Sequence, residues 1–232
     1  MKLVNKLMMG WLVLGFIFWI FYLAAVEFKY QFIYYLFIIL FVGIPIWIYR
    51  ERIKYSLRNW KRGNLAKFLI LGYGFVLFEE IFAALFNHLS EGFNPVLYLG
   101  RIGQFWALNI IIFTGFYLGW YFLLKKFQYS YTEIFFTAGT WGLIAERVIY
   151  NLFSNPLYVL FLAPVMIFVY GIMITFPMLS IPLEGRRRLN PFLKFLLSLL
   201  VIFIFSVVPL LLLQLLRTNF PWAFPPVSFV PM

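Results

Sequence analysis

The sequence predicts an all-α protein, a polytopic membrane helix bundle of about seven transmembrane helices with its N-terminus inside and its C-terminus outside. Three observations predict it. Hydrophobic residues make up 64% of the 232 residues and charged residues only 12%, against roughly 45–50% and about 25% in soluble domains. A 27.6 kDa globule has too little interior to hide that much apolar side chain. Apolar runs of about 20 residues, the length that crosses a hydrocarbon core, recur along the chain, and the basic residues gather in alternate breaks between them.

The runs cover roughly residues 7–26, 32–49, 66–88, 102–124, 131–153, 156–181 and 192–216, here spans 1 to 7. The polar breaks are Glu27 to Gln31, Arg50 to Asn64, Ser90 to Arg101, Lys125 to Ser130, Ser154-Asn155 and Glu184 to Asn190. Residues 1–218 read as a single transmembrane bundle. Residues 219–232, with Pro221, Trp222, Phe224, Pro225, Pro226, Phe229 and Pro231, read as an extracytoplasmic tail too rich in proline for regular helix. Lys2 and Lys6 before an apolar run resemble the start of a signal peptide, but the run is long and aromatic, and it reads as a retained first span.

With the N-terminus inside, Lys2, Lys6, Arg50, Arg52, Lys54, Arg58, Lys61, Arg62, Lys67, Lys125, Lys126, Arg186, Arg187, Arg188 and Lys194 all fall inside. These are fifteen of the nineteen basic residues. Lys29, Arg101 and Arg217 fall outside, and Arg147 lies within span 5. This is the positive-inside pattern. The net charge of +11 is thus a topology label that also attracts anionic lipid. With no soluble domain to carry it, a nucleic-acid partner is not expected. The expected location is a cell membrane, bacterial or archaeal, and the expected partners are membrane lipids or another membrane protein. Aromatics near span ends, among them Trp11, Trp19, Tyr34, Tyr35, Trp47, Tyr49, Trp60, Trp120, Tyr121, Tyr129 and Tyr131, read as interfacial anchors.

Absences remove much chemistry. Cys and Asp do not occur and His occurs once. Thiol nucleophiles, thiolate metal sites and aspartyl chemistry are excluded, no metal site is predicted, and no cofactor motif is present. Glutamates remain. Glu79 and Glu80 lie in span 3, and Glu146 and Arg147 in span 5; Asn109 lies in span 4. Counted at 1.5 Å per residue, all sit roughly 10–13 Å below the outer boundary. Gly72, Val76, Glu79 and Ala83 share one helical stripe, and Tyr73, Glu80, Ala84 and His88 the next. Gly139, Gly142, Glu146 and Tyr150 line a stripe of span 5, and Gly115 and Gly119 form a small-xxx-small pattern in span 4. The expectation is a pocket bounded by spans 3, 4 and 5. Adjacent carboxylates at low dielectric resist joint ionisation, so the pair should retain a proton. Glu79, Glu80 and Glu146 are the candidate catalytic residues, and Asn109, Arg147, Arg101 and His88 the candidate binding residues. A buried structural ion pair, of Glu146 with Arg147 or of Arg147 with Glu79 or Glu80, is the plainer reading of the cluster. His88 reads as a solvated cap, and Glu133 and Glu184 as solvated helix ends.

Two resemblances follow from these residues. Phe78-Glu79-Glu80-Ile81-Phe82 resembles the Glu-Glu motif of the glutamate-dependent intramembrane proteases, the CAAX-protease and PrsW-type families. Ala138 to Tyr150, glycine-rich and leading to Glu146, resembles the second PrsW-type motif. Ala83 and Ala84 stand where a basic residue follows the pair in those families, and Gly142 where they carry Phe. The resemblance implies that Glu79 or Glu80 activates a water, with Glu146 as partner carboxylate. Gly100-Arg101-Ile102-Gly103-Gln104-Phe105 is similar to the start of the signature of prolipoprotein diacylglyceryl transferase, a seven-span lipid enzyme, with Ala107 and Asn109 where that signature continues with Asn and Glu. It implies a lipid-phosphate role for Arg101. Three functions stay open at this point: an enzyme acting on a lipid or membrane-embedded substrate by carboxylate acid–base chemistry, a proton- or cation-coupled transporter, and a non-catalytic scaffold or accessory subunit.

Overall fold

The computed structural model describes residues 2–25, 30–89, 92–183 and 185–224. The break at Glu27 to Lys29, the loop residues Ser90 and Glu91, the solvated end expected at Glu184 and the tail from residue 225 lie outside the described residues. The described chain is all-helical, in the order α1 (Lys2–Ala25), α2 (Tyr30–Phe37), a π-helical turn (Ile38–Gly43), α3 (Ile44–Arg58), α4 (Asn64–Leu89), α5 (Pro95–Lys126), α6 (Tyr131–Ala145), a 3₁₀ turn (Val148–Leu152), α7 (Pro156–Met178) and α8 (Pro191–Asn219). Among the described residues five helical segments are long and apolar enough to cross a membrane: Ile33–Arg58, Asn64–Leu89, Pro95–Lys126, Pro156–Met178 and Pro191–Asn219. They answer to spans 2, 3, 4, 6 and 7. In α1 the apolar stretch is the shorter Met8–Tyr22.

Three helices start on the same dipeptide. Asn94, Asn155 and Asn190 each accept a backbone N–H of the first turn through the side chain, and Pro95, Pro156 and Pro191 follow. Asparagine satisfies an orphan donor there, and proline loses nothing at a position whose N–H has no helical partner. Span 4 therefore begins at Pro95 rather than near residue 102, and Arg101 sits within α5 instead of in a loop. Glu133, expected to be solvated at a helix end, closes a capping box with Ser130 at the start of α6.

Span 5 is the main departure. A continuous helix was expected over 131–153, but α6 stops at Ala145. Arg147 then takes the left-handed conformation (φ 57°, ψ 14°). No regular right-handed helix continues through such a residue. The stripe through Gly139 and Gly142 thus ends at Glu146, and Tyr150 beyond it is exposed. Span 2 is also irregular. Pro45 cannot donate to the carbonyl four residues back, and the helix widens into the π turn immediately before it, with Ile44 N–H reaching Ile39 O.

The chain divides into two compact units, residues 1–60 with 129–180 and residues 61–128 with 181–232. In the first unit α7 is the central helix, packed against α6, α1 and the π turn. Gly139 and Gly142 lie against Ile167 and Tyr170 of α7, so the glycine stripe of span 5 serves span 6. Pro164 breaks the α7 ladder, because it has no N–H to give the Leu160 carbonyl. Helix α1 covers the break. Gly15 lies on the Pro164 ring, Trp11 Nε1 donates to Leu160 O (3.2 Å) and Trp19 Nε1 to Phe161 O (2.9 Å). Trp11 and Trp19, expected as interfacial anchors, are instead clasps on a proline kink. Trp120 and Tyr34 are likewise buried, whereas Trp47, Tyr49 and Trp60 are exposed as expected of anchors.

In the second unit α5 is the central helix, packed between α4 and α8. Its Gly115 lies against the backbone of Phe205 and Ser206 in α8. Phe205 is four residues before Pro209, so its carbonyl is the one that Pro209 leaves without a helical donor. The small-xxx-small face of span 4 therefore serves span 7, where the sequence had suggested spans 3 and 5.

Candidate functional site

Spans 3 and 4 of the expected pocket are α4 and α5 of the second unit; span 5 is α6 of the first. Each unit carries its own polar arrangement.

Along the α4–α5 interface side chains of α5 reach the backbone and side chains of α4 at successive levels. Tyr117 Oη donates to Gly72 O (2.8 Å). Thr114 Oγ1 gives its proton to Ile110 O (2.6 Å) and accepts from Tyr73 Oη (2.6 Å). Trp106 Nε1 donates to Leu77 O (2.9 Å), and Tyr98 Oη to Ile81 O (3.1 Å). Between these levels the Asn109 amide donates to the Glu80 carboxylate. Glu79, the neighbouring residue, is only 7% exposed. The structure thus brings together Glu80 and Asn109 of the expected site and adds a seam of tyrosine, tryptophan and threonine donors. Tyr98, Trp106, Asn109 and Tyr117 recur at spacings of eight, three and eight residues, which is one helix face. That periodicity is the sequence signal of the seam.

At the end of the same interface His88 is 1% exposed. It is not a solvated cap. Its Nε2 accepts the Asn94 backbone N–H (2.6 Å), so the imidazole ties the end of α4 to the residue that caps α5. In its neutral form the ring then carries its proton on Nδ1, and Nδ1 lies 3.5 Å from Arg101 Nη1. Phe93 packs edge-on against the ring at 5.6 Å. His88 and Arg101, two candidate binding residues, are therefore neighbours at one end of the seam.

In the first unit Glu146 caps the C-terminus of α6 and its carboxylate accepts the Tyr170 hydroxyl proton of α7. Gly142 admits the Tyr170 ring, since a Cβ there would lie 2.4 Å from it. Glu146 and Arg147 are both exposed. A helix C-terminus is an unfavourable place for a carboxylate and a favourable one for a guanidinium. The left-handed Arg147 is the residue at which glycine usually ends a helix. Arg147→Gly is expected to stabilise the fold by about 1 kcal/mol, the cost of a non-glycine residue in that region. Detergent-solubilised protein unfolded by SDS and followed by far-ultraviolet circular dichroism will read it. A gain in stability accompanied by lost activity would mark Arg147 as functional.

Among the described residues no three His or Glu side chains gather as a metal-holding group. No protein family, no curated protein and no solved structure matches this chain. The protein is helical, with five segments among the described residues long and apolar enough to cross a membrane.

Proposed function

We propose that the chain is an integral membrane protein that uses the Glu79–Glu80 pair for acid–base work on a lipid or another membrane-embedded substrate, with Asn109 holding Glu80, and Arg101 and His88 receiving an anionic group. The observation that supports this reading is the consecutive acidic pair at a helix interface, Glu79 buried and Glu80 held by Asn109. An acidic or basic side chain at the centre of a membrane helix costs about 2.5–3.5 kcal/mol, whereas an interhelical hydrogen bond in lipid returns about 0.6–2 kcal/mol. Joining α4 to α5 needs no carboxyl, since the tyrosine and tryptophan donors on either side already do so. Two glutamates in succession cost more than adhesion returns, which favours a role in moving protons.

A second reading, a proton- or cation-coupled carrier, is favoured by the interruption of α6 at Glu146 and Arg147. Interrupted helices with polar residues at the break are how many carriers build ion sites. One set of variants separates the two. Glu79→Gln, Glu80→Gln and Glu146→Gln proteins are reconstituted in liposomes of total bacterial lipid, with lipid conversion followed by mass spectrometry and pH-driven flux by an entrapped dye. The enzyme reading expects conversion to fall at least 100-fold in Glu79→Gln or Glu80→Gln and to survive in Glu146→Gln. Flux lost in Glu146→Gln supports the carrier. Wild-type protein inert in both assays, with Glu80→Gln altered only in stability, would overturn both and leave the structural role.

A further inference from the structure

The second unit carries a cleft of about 800 Å³ lined by Lys125, Lys126, Arg186 and Arg187. Neither Glu79 nor Glu80 takes part in it, and no carboxylate lines it among the described residues. We infer that this cleft binds a phosphate-bearing anion, the headgroup of a membrane lipid or a free phosphate compound.

The four cations are held together by backbone, not by chance proximity of long side chains. Helix α5 ends at Lys126, and the next residue, Phe127, pairs in parallel with Arg187. Gln128 N–H donates to Arg187 O (3.0 Å) and Arg187 N–H to Lys126 O (3.3 Å). This approach depends on Gly185, because a Cβ there would fall 1.9 Å from Phe127 O. Two further bonds fix the corner: Arg188 Nε donates to Gln128 Oε1 (2.9 Å), and Lys194, buried at 7% exposure, donates to Gln128 O (2.8 Å). The lysines are seated on aromatic rings, Lys125 at 5.5 Å from Tyr121 and Lys126 at 5.2 Å from Phe122.

Four like charges on neighbouring backbone segments repel one another, and an anion relieves that repulsion. Guanidinium pairs and lysines are the groups that recognise phosphate, the first by paired N–H donors and the second as point charges. The volume falls within the range of small-molecule sites and holds more than a single phosphate. The cleft also stands where one membrane-length segment ends (Lys126) and another begins (Pro191), and the ends of membrane-crossing segments are where a bilayer presents its headgroups. Basic pockets at helix ends take such headgroups. A topology signal alone requires only the charges. It does not require a glycine-dependent backbone pairing that arranges them around a cavity.

The test uses the full chain in phosphatidylcholine nanodiscs. Dioctanoyl phosphatidic acid, dioctanoyl phosphatidylcholine and inorganic pyrophosphate are titrated, and binding is read by native mass spectrometry. Wild-type protein is expected to bind the phosphatidic acid at least 10-fold more tightly than the phosphatidylcholine. Arg186→Gln with Arg187→Gln should lose at least 5-fold, and the quadruple variant with Lys125→Gln and Lys126→Gln should fall to the phosphatidylcholine level. A control lacking four basic residues of the other unit (Arg50→Gln, Arg52→Gln, Lys54→Gln, Arg58→Gln) should stay within 2-fold of wild type. Pyrophosphate that displaces the lipid assigns the cleft to a free phosphate compound, and pyrophosphate that does not assigns it to a headgroup. Equal losses in the control and the cleft variants, or wild-type affinity in the cleft variants, would overturn the proposal. The double variant keeps the test readable where the quadruple variant fails to fold.

Discussion

Gly115→Ala is expected to cost about 3 kcal/mol of stability, the upper range for forcing a methyl group into a filled interface. Gly103→Ala, the same chemical change twelve residues earlier in the same helix, should cost nothing. A Cβ at Gly115 would stand 2.5 Å from the Phe205 carbonyl oxygen and 2.6 Å from the Ser206 Cα. Those are backbone atoms and cannot rotate away, so α5 and α8 must separate. Nothing lies within 4 Å of a Cβ at Gly103, and alanine there gains helix propensity of up to about 1 kcal/mol. The contact also has a chemical side. Pro209 leaves the Phe205 carbonyl without its helical donor, and the glycine lets α5 cover that oxygen. Unfolding both variants with SDS in mixed micelles, read by circular dichroism, gives the comparison. Equal midpoints for the two variants would refute the interface described for α5 and α8.

Replacing both Trp11 and Trp19 by Phe should destabilise the first unit by about 2 kcal/mol, since it removes two bonds between helices, an exposed one to Leu160 O and a part-buried one to Phe161 O, each worth about 0.6–2 kcal/mol in lipid. The cause can be isolated by a cycle. In the Pro164→Ala background the helix supplies its own N–H to Leu160 O, so Trp11→Phe should then cost less than about 0.5 kcal/mol. An unchanged cost in that background would mean that Trp11 acts through its ring and not through its N–H. The measurement is again the SDS midpoint, with each variant checked for monodispersity by gel filtration.

These cases show which parts of the fold were legible. Helices of membrane length can be read wherever apolar residues continue and the backbone stays regular, as in α4, α5, α7 and α8. Hydropathy averages over a window and does not register backbone conformation, so Ile149, Leu152 and Phe153 extended span 5 on paper past a left-handed Arg147 that ends it. The Asn-Pro starts at 94, 155 and 190 were readable from local chemistry and would have placed Arg101 inside a helix. Partner choice was less legible. Gly115 announces that some helix comes close, but only the three-dimensional arrangement says that it is α8. For the candidate site, the apolar surroundings of Glu79, Glu80 and Asn109 singled them out, but not that Asn109 meets Glu80. Tyr170 carried no such mark, because a tyrosine among fifteen in this chain is unremarkable until its hydroxyl meets Glu146.

The early end of α6 sets its length against the thickness of a bilayer. Its 15 residues rise about 22 Å, well short of a hydrocarbon core of about 30 Å. A bilayer meets such a hydrophobic mismatch by thinning or by letting flanking charges snorkel. The exposed Glu146 and Arg147 would then be reached by a local dimple of headgroups and water rather than being driven into the acyl chains. On the membrane reading proposed above, shorter lipids should suit the first unit better than thick ones.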